Sequence, residues 1–269
     1  MLQPLKIIHE YVVAYVVLTL LGVICLVYSI WALVAYPLLP RRLGTAVGRF
    51  GICAGFRMFS WSLTMTGAYR LDLSAIDSLR DGPPVILAPN HPSLIDALLI
   101  LTRHPNIACV MKAELMNNVF LGAGSRLARY IPSNQPRQMI KEAISDLREG
   151  GTLLLFPEGT RTAQEPINPL KASIGIIAKH ANVPVQVVIM ETDSPYLRKG
   201  WPLFRRPNLP ITYRLRLGRR FDPPQNVESF MIELQREFRE QLQDAPQSEW
   251  LSSEVNGTPL DAYSQSSGR

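Results

Sequence analysis

Two hydrophobic regimes divide the chain. From Tyr11 to Pro40 every residue is uncharged, thirty in a row. A membrane helix needs about 20 apolar residues, so this run is long enough to cross a bilayer with tilt to spare. Tyr11, Tyr15, Tyr28, Trp31 and Tyr36 gather toward its two ends, where interfacial anchors sit. A signal peptide has an apolar core of about 7–15 residues behind a basic start. Here the core is longer and only Lys6 precedes it. A retained anchor is expected, in preference to a signal peptide or a buried soluble helix. Arg41, Arg42, Arg49 and Arg57 follow the run, which places everything after Pro40 on the cytoplasmic side of the inner membrane. A helical hairpin that dips in and returns fits equally. Pro37 and Pro40 would end its first arm, and Leu43 to Gly67, apolar with few charges, would form an interfacial second arm.

After Gly67 short apolar runs alternate with helical stretches. Val85–Ala88, Ile107–Met111, Thr152–Phe156, Val183–Met190 and Ile211–Leu217 read as strands. Between them lie helical segments: one opened near Pro92 and continued through Ala97–Thr102, then Arg137–Glu149 and Leu170–His180. In the second, Met139, Ile140, Ala143, Ile144 and Leu147 recur at helical spacing until Gly150-Gly151 stops it. The expectation is an α/β fold: a mostly parallel sheet flanked by helices, with an N-terminal membrane helix or helical hairpin. Residues 1–67 form the anchor and interfacial helix, 68–243 the main domain. The segment 244–269, rich in Ser, Gln, Asn and Gly, is expected to be a disordered tail.

Composition narrows the picture. At 269 residues, 47% hydrophobic and 19% charged, the chain is neither mostly disordered nor collagen-like. Cys25, Cys53 and Cys109 are odd in number and not at C-x-x-C spacing, which excludes a disulfide framework and suits a reducing compartment. His9, His91, His104 and His180 lie at no ligand spacing with them, so no metal is expected. The net charge of +6 comes from Ser194–Phe221, which holds eight basic residues and no acid. That segment is either a solvated face or an attractor of anionic lipid or an anionic cosubstrate. Nucleic acid is not expected: no recognised module is present.

Candidate chemistry sits in two segments. In Asn90-His91-Pro92-Ser93-Leu94-Ile95-Asp96, residues five apart on one helix would point about 140° away from each other. Pro92 favours the first helical position. His91 would then lie in the preceding loop and Asp96 could reach back to its ring, making a general-base pair. The competing reading has His91 capping the helix and Asp96 complementing its dipole. In Phe156-Pro157-Glu158-Gly159-Thr160-Arg161, directly after a strand, Gly159 allows close backbone approach and Arg161 offers a fork for phosphate or carboxylate. The alternative there is a loop salt bridge from Glu158.

Together these segments resemble the glycerophospholipid acyltransferase family, PlsC-like, of the 1-acylglycerol-3-phosphate acyltransferase group. The first family motif, N-H-x-x-x-x-D, is Asn90, His91 and Asp96. The third, F-P-E-G-T-R, is Phe156 to Arg161. The fourth is Val183-Pro184-Val185-Gln186-Val187-Val188, and Lys112-Ala113-Glu114-Leu115 matches a K-x-E-L segment. The resemblance covers roughly Leu71 to Leu217. The second motif departs from the family pattern: Arg129 stands where a glycine is expected and Gln135 where an arginine is, with Arg137 two residues on.

The resemblance implies acyl transfer from acyl-CoA or acyl carrier protein to a lysophospholipid hydroxyl at the membrane lipid surface. His91 would be the base and Asp96 its orienter. Lys112, Glu158, Gly159, Thr160 and Arg161 would bind the acceptor, and no cofactor is implied. Ser93 need not be a nucleophile, Ser125 does not fit G-x-S-x-G, and Cys109 reads as core. Alternatives are the same chemistry on a non-glycerophosphate acceptor (an aminoacyl or polyene lipid), a membrane thioesterase or lipase, and a non-catalytic scaffold. The altered second motif predicts weaker use of lysophosphatidic acid than in a typical member.

Overall fold

The computed structural model of the chain describes residues 2–202 and 204–243. The expected tail, 244–269, lies outside them. Two long helices open the chain, α1 (Leu2–Leu38) and α2 (Arg41–Met65), separated only by the Leu39-Pro40 corner. Then follow β1 (Tyr69–Asp72), β2 (Ile86–Pro89), α3 (Asp96–Leu101), β3 (Ile107–Met111), α4 (Gly122–Leu127), β4 (Ile131–Pro132), α5 (Pro136–Arg148) and β5 (Thr152–Leu154). The last elements are α6 (Ser173–Ala181), β6 (Val185–Thr192), β7 (Ile211–Phe221) and α7 (Val227–Gln243).

The strands form one sheet in the order β1-β7-β6-β2-β5-β3-β4. From β6 through β4 all neighbours are parallel, while β7 runs antiparallel to β6. The expected mostly parallel α/β sheet is therefore present. Period-2 alternation sends the strand side chains to two cores. Ile86, Ala88, Leu153, Val185 and Val187 meet Ala143, Leu147, Ile174, Leu234 and Phe238 of α5, α6 and α7. On the other face Leu87, Leu154, Val188 and Tyr213 meet Leu63 and Leu99 of α2 and α3. With both faces covered, the central strands read as continuous apolar runs.

The N-terminal pair packs as a helical hairpin. Small residues let the helices nest. A Cβ on Gly51 would strike the Tyr28 ring, and one on Gly48 would strike the Leu127–Ala128 backbone. The Tyr28 hydroxyl donates to the Gly48 carbonyl at 2.7 Å. Buried Arg49 fastens α2 to the domain through Asp146, Asn106 and the Ala128 carbonyl. Two polar ties fasten α1 to the same domain. Near its start, buried Glu10 pairs with Arg206 and accepts the Leu209 N–H. Further along, Ser29 donates to the Phe120 carbonyl at 2.6 Å. These ties lie roughly 28 Å apart at about 1.5 Å rise per residue, so α1 runs along the domain instead of leaving it. Its outer face, including Val12, Val16, Val27, Leu33 and Val34, is exposed.

One expectation needs correction. Pro92 does not open a helix: residues 91–95 form a turn, and α3 starts at Asp96. Of the two readings of the basic segment, the charges fit the solvated face, and most of them are paired. Arg198, Arg206, Arg214, Arg216 and Arg219 pair with Glu165, Glu10, Asp72, Glu191 and Glu233, all acids from outside it. In β7, Ile211, Tyr213 and Leu215 point into the core while Arg214 and Arg216 alternate outward, so the charges line the polar face of a strand. α7 was missed, although Phe230, Leu234, Phe238 and Leu242 recur every four residues.

Candidate active site

The site is built where β2 ends. Asn90 replaces a strand rung with its side chain, donating to the Met190 carbonyl (3.1 Å) and accepting the Met190 N–H (2.7 Å). That clamp stops β2 beside β6 and turns the chain outward. The next residue, His91, is gripped by its backbone. Its N–H donates to Glu158 Oε1 at 2.9 Å, and its carbonyl accepts the Thr162 N–H at 2.8 Å. Its ring stacks on Phe156 with centroids 4.0 Å apart. The loop after β5 thus fixes His91 from both sides.

His91 Nδ1 lies 2.8 Å from Asp96 Oδ2, and the same oxygen accepts the Ser93 N–H at 2.7 Å. The turn across 91–95, not a helix begun at Pro92, carries the imidazole back over the first turn of α3. Asp96 is fully buried, whereas the His91 side chain is 17% exposed. Burial pushes the Asp96 carboxyl above its ordinary value. The hydrogen bond and charge of His91, the Ser93 N–H and the Arg161 charge pull the other way. Asp96 Oδ1 is buried and has no hydrogen-bond partner among the described residues. A carboxylate so poorly compensated gains most when the imidazole becomes a cation. Nδ1–H bonded to Asp96 leaves Nε2 as the ring atom able to accept a proton.

The second segment divides its labour. Glu158 is buried and both its oxygens are engaged: Oε1 by the His91 N–H and the Thr162 hydroxyl (2.7 Å), Oε2 by the Asn168 N–H (3.0 Å). Burial raises its pKa and those bonds oppose the rise. Glu158 is therefore a brace between loops, not the arm of a salt bridge. Gly159 has φ +68°, and a Cβ there would run into the Lys171 side chain. Half-buried Arg161 donates through Nη1 to the carbonyls of Leu197 (2.9 Å) and Arg198 (3.1 Å). Thr160 is half-buried between them. Lys112 is exposed and follows β3 on the same sheet edge, but β3 is two strands from β2, roughly 10 Å at about 4.8 Å per strand. So His91, Asp96, Glu158 and Arg161 are brought together, and Lys112 stands apart on the same rim.

A model of the acyltransferase family matches residues 70–191, which include both segments. A 1-acyl-sn-glycerol-3-phosphate acyltransferase of Pseudomonas aeruginosa is 24% identical over 181 residues, 64% of this chain and 69% of that relative. An enzyme of the same name from Limnanthes alba is 27% identical over 215 residues, 76% and 70% of the two chains. Over this segment the chain is similar to the acyltransferase family. The crystal structure of the 1-acyl-sn-glycerophosphate (LPA) acyltransferase PlsC of Thermotoga maritima shares its fold, with a TM-score of 0.66 at 20% identity over 91% of this chain and 97% of that one.

The sequence reading missed Asn168. Its side chain accepts the Ala163 and Gln164 N–H groups and donates to the Arg161 carbonyl, shaping the loop that carries Arg161. An Asn ten residues beyond Glu158 gives no periodic or motif signal. Lys171, folded over Gly159, was also missed. Buried Ser93 donates to the Tyr196 carbonyl at 3.1 Å and faces no nucleophile's site. Cys109 lies in the core, where burial pushes its thiol up to about 12.

Proposed function

We propose that this acyltransferase moves a fatty acyl group from acyl-CoA or acyl carrier protein to the free hydroxyl of a 1-acylglycerol-3-phosphate-type lysophospholipid. The observation that carries the reading is the 2.8 Å contact of His91 Nδ1 with fully buried Asp96, at the carboxyl edge of the sheet beside Arg161. Ligands of open α/β sheets bind at that edge. His91 Nε2 takes the hydroxyl proton as the oxygen attacks the thioester carbonyl. Asp96 holds the tautomer and stabilises the imidazolium. The C–S bond then breaks, the departing thiolate takes the proton from His91, and an ester remains. No acyl-enzyme is needed. A labelled acyl thioester with purified protein and acceptor should yield labelled ester. Label released as free acid would instead mark a thioesterase.

Arg161, with Lys112 as helper, binds the acceptor phosphate, while Glu158, Gly159 and Thr160 shape the pocket. A charge-assisted hydrogen bond contributes about 1.5–3 kcal/mol. Arg161→Ala should therefore lower kcat/KM on a phosphorylated acceptor by roughly 10–150-fold, and on an unphosphorylated one by less. Equal losses on both would reject phosphate recognition. They would favour the second reading, a non-glycerophosphate lipid acceptor, which the presence of exposed Gln135 in place of the family's arginine supports.

The hairpin docks the enzyme to the inner membrane from the cytoplasmic side, immersed in one leaflet. Support comes from α1, whose 35-residue stretch Pro4–Leu38 holds an 18-residue window of mean hydropathy 2.5, and from its ties to the domain at Glu10 and Ser29. The protein should stay with membranes after cell breakage without detergent. A cysteine placed at Lys6 should be labelled from the same side as one placed at Arg70. Labelling from opposite sides would mean that α1 spans.

A further inference from the structure

We propose that a cationic cavity at the turn of the α1–α2 hairpin binds the phosphate headgroup of an anionic membrane phospholipid, separately from the acyl-transfer centre. The cavity measures about 930 Å³ and lies between the start of α2, α4, β4 and α5. His91, Asp96, Glu158 and Arg161 do not line it. Its strand, β4, is three positions from β2, roughly 14 Å at about 4.8 Å per strand. A phosphate held there is beyond the reach of a glycerol whose hydroxyl sits at His91.

Arg41, Arg42, Arg126, Arg129 and Lys141 line the cavity. A sixth cation, Arg49, is buried and committed to Asp146. The other acids, Glu142 and Glu149, accept hydrogen bonds from Gln138 and Ser145. That leaves a surplus of three positive charges among the lining residues. Among the described residues, the side chains of Arg41, Arg42, Arg129 and Lys141 make no hydrogen bond or ion pair. This contrasts with the Arg-rich stretch around β7, where most cations already have partners. Like charges gathered in a concave site raise the local concentration of an anion.

Arg129 sharpens the point. It has φ +53°, a conformation glycine takes without strain, and it stands where the family pattern has glycine. The departure in the second motif therefore adds a cation to this cavity despite the strained backbone. The occupant follows from what borders the turn. Trp31 and Tyr36 belong to the amphipathic aromatics that settle at headgroup level. Beside them Leu33, Val34, Leu38 and Leu43 are exposed. An immersed hairpin would hold the cavity mouth among the headgroups. The proposal rests on that reading of the hairpin.

The test is flotation of the full chain with vesicles of phosphatidylcholine alone and of phosphatidylcholine with phosphatidylglycerol. The triple variant Arg42→Ala, Arg129→Ala, Lys141→Ala is compared with a charge-matched control, Arg220→Ala, Arg236→Ala, Arg239→Ala, whose exposed cations lie on β7 and α7. At about fivefold per charge, the cavity triple should bind anionic vesicles roughly 100-fold more weakly and neutral vesicles as the parent does. The control should stay near the parent on both, and transfer to a detergent-dispersed acceptor should be unchanged in the cavity triple. Equal losses in the two triples would overturn the proposal. So would a parent that binds both vesicle types equally, in which case the hairpin reading survives. A parent that binds neither overturns both. Loss of the anionic preference in phosphate, but not in chloride of matched ionic strength, would assign the site to free phosphate. A triple that binds lipid normally but fails with acyl carrier protein as donor would make the cavity a donor-docking face instead.

Discussion

His91→Ala is expected to lower kcat for acyl transfer by roughly 10²–10⁴-fold, the contribution of a positioned general base. The fold should survive. The ring is at the rim of the site, and the bonds that tie residue 91 to Glu158 and Thr162 are made by its backbone, which alanine keeps. Asp96 would lose the partner that favours its charged form and can take up a proton in response, so no unpaired buried charge need remain. The measurement is the rate of labelled ester formation from a saturating acyl thioester, alongside a thermal melt of the same preparation. A variant that melts like the parent and turns over near the parental rate would end the general-base mechanism.

Asp96→Asn is expected to lose about 10³–10⁴-fold in kcat, because an amide can present the wrong group to Nδ1 and cannot stabilise the imidazolium. Its stability should move the other way. Burial lifts the Asp96 pKa in the folded protein above the unfolded value of about 3.9. Between those two values the folded state keeps a proton that the unfolded state has released. Stability from this site is therefore full below about pH 4 and is lost as pH rises through the lifted folded pKa. Asparagine does not titrate and escapes that loss. Melts across pH should show parent and variant converging near pH 4, with the variant gaining relative to the parent toward neutral pH. A variant that falls further behind the parent as pH rises would mean that the carboxylate stabilises the fold and that its folded pKa is lowered instead of raised.

The distance between the sequence pattern and the fold is clearest at Glu158. Its motif marks it as part of a ligand loop, with a salt bridge as the plain alternative. In the structure it makes no salt bridge but braces the loop, because His91, Thr162 and Asn168 converge on it from three directions. No local pattern announces that a carboxylate will collect a backbone N–H from a residue sixty-seven positions earlier. Arg161 shows the same limit. Its fork is expected to face a ligand, yet one arm is held by the Leu197 and Arg198 carbonyls. At His91 and Asp96 the spacing suggests contact, but by a helix from Pro92 where the chain makes a turn.

What the sequence determined by itself is whatever depends on neighbours within a few residues. Period-2 and period-3.6 patterns set most strands and helices and their inward faces, and the uncharged run set a long apolar helix. The five-residue interval from His91 to Asp96 put a base and a carboxylate within reach of each other. Tertiary structure decided what depends on which segments lie side by side. The strand order places β5 against β2, and so the loop of Glu158 against that of His91. The ties at Glu10 and Ser29 lay α1 along the domain. The acids of Glu10, Asp72, Glu191 and Glu233 neutralise cations that looked free in the sequence. Such pairings join residues far apart in the chain, and their loop-closure cost is repaid only by the packing of the whole core, so no short window of sequence contains them.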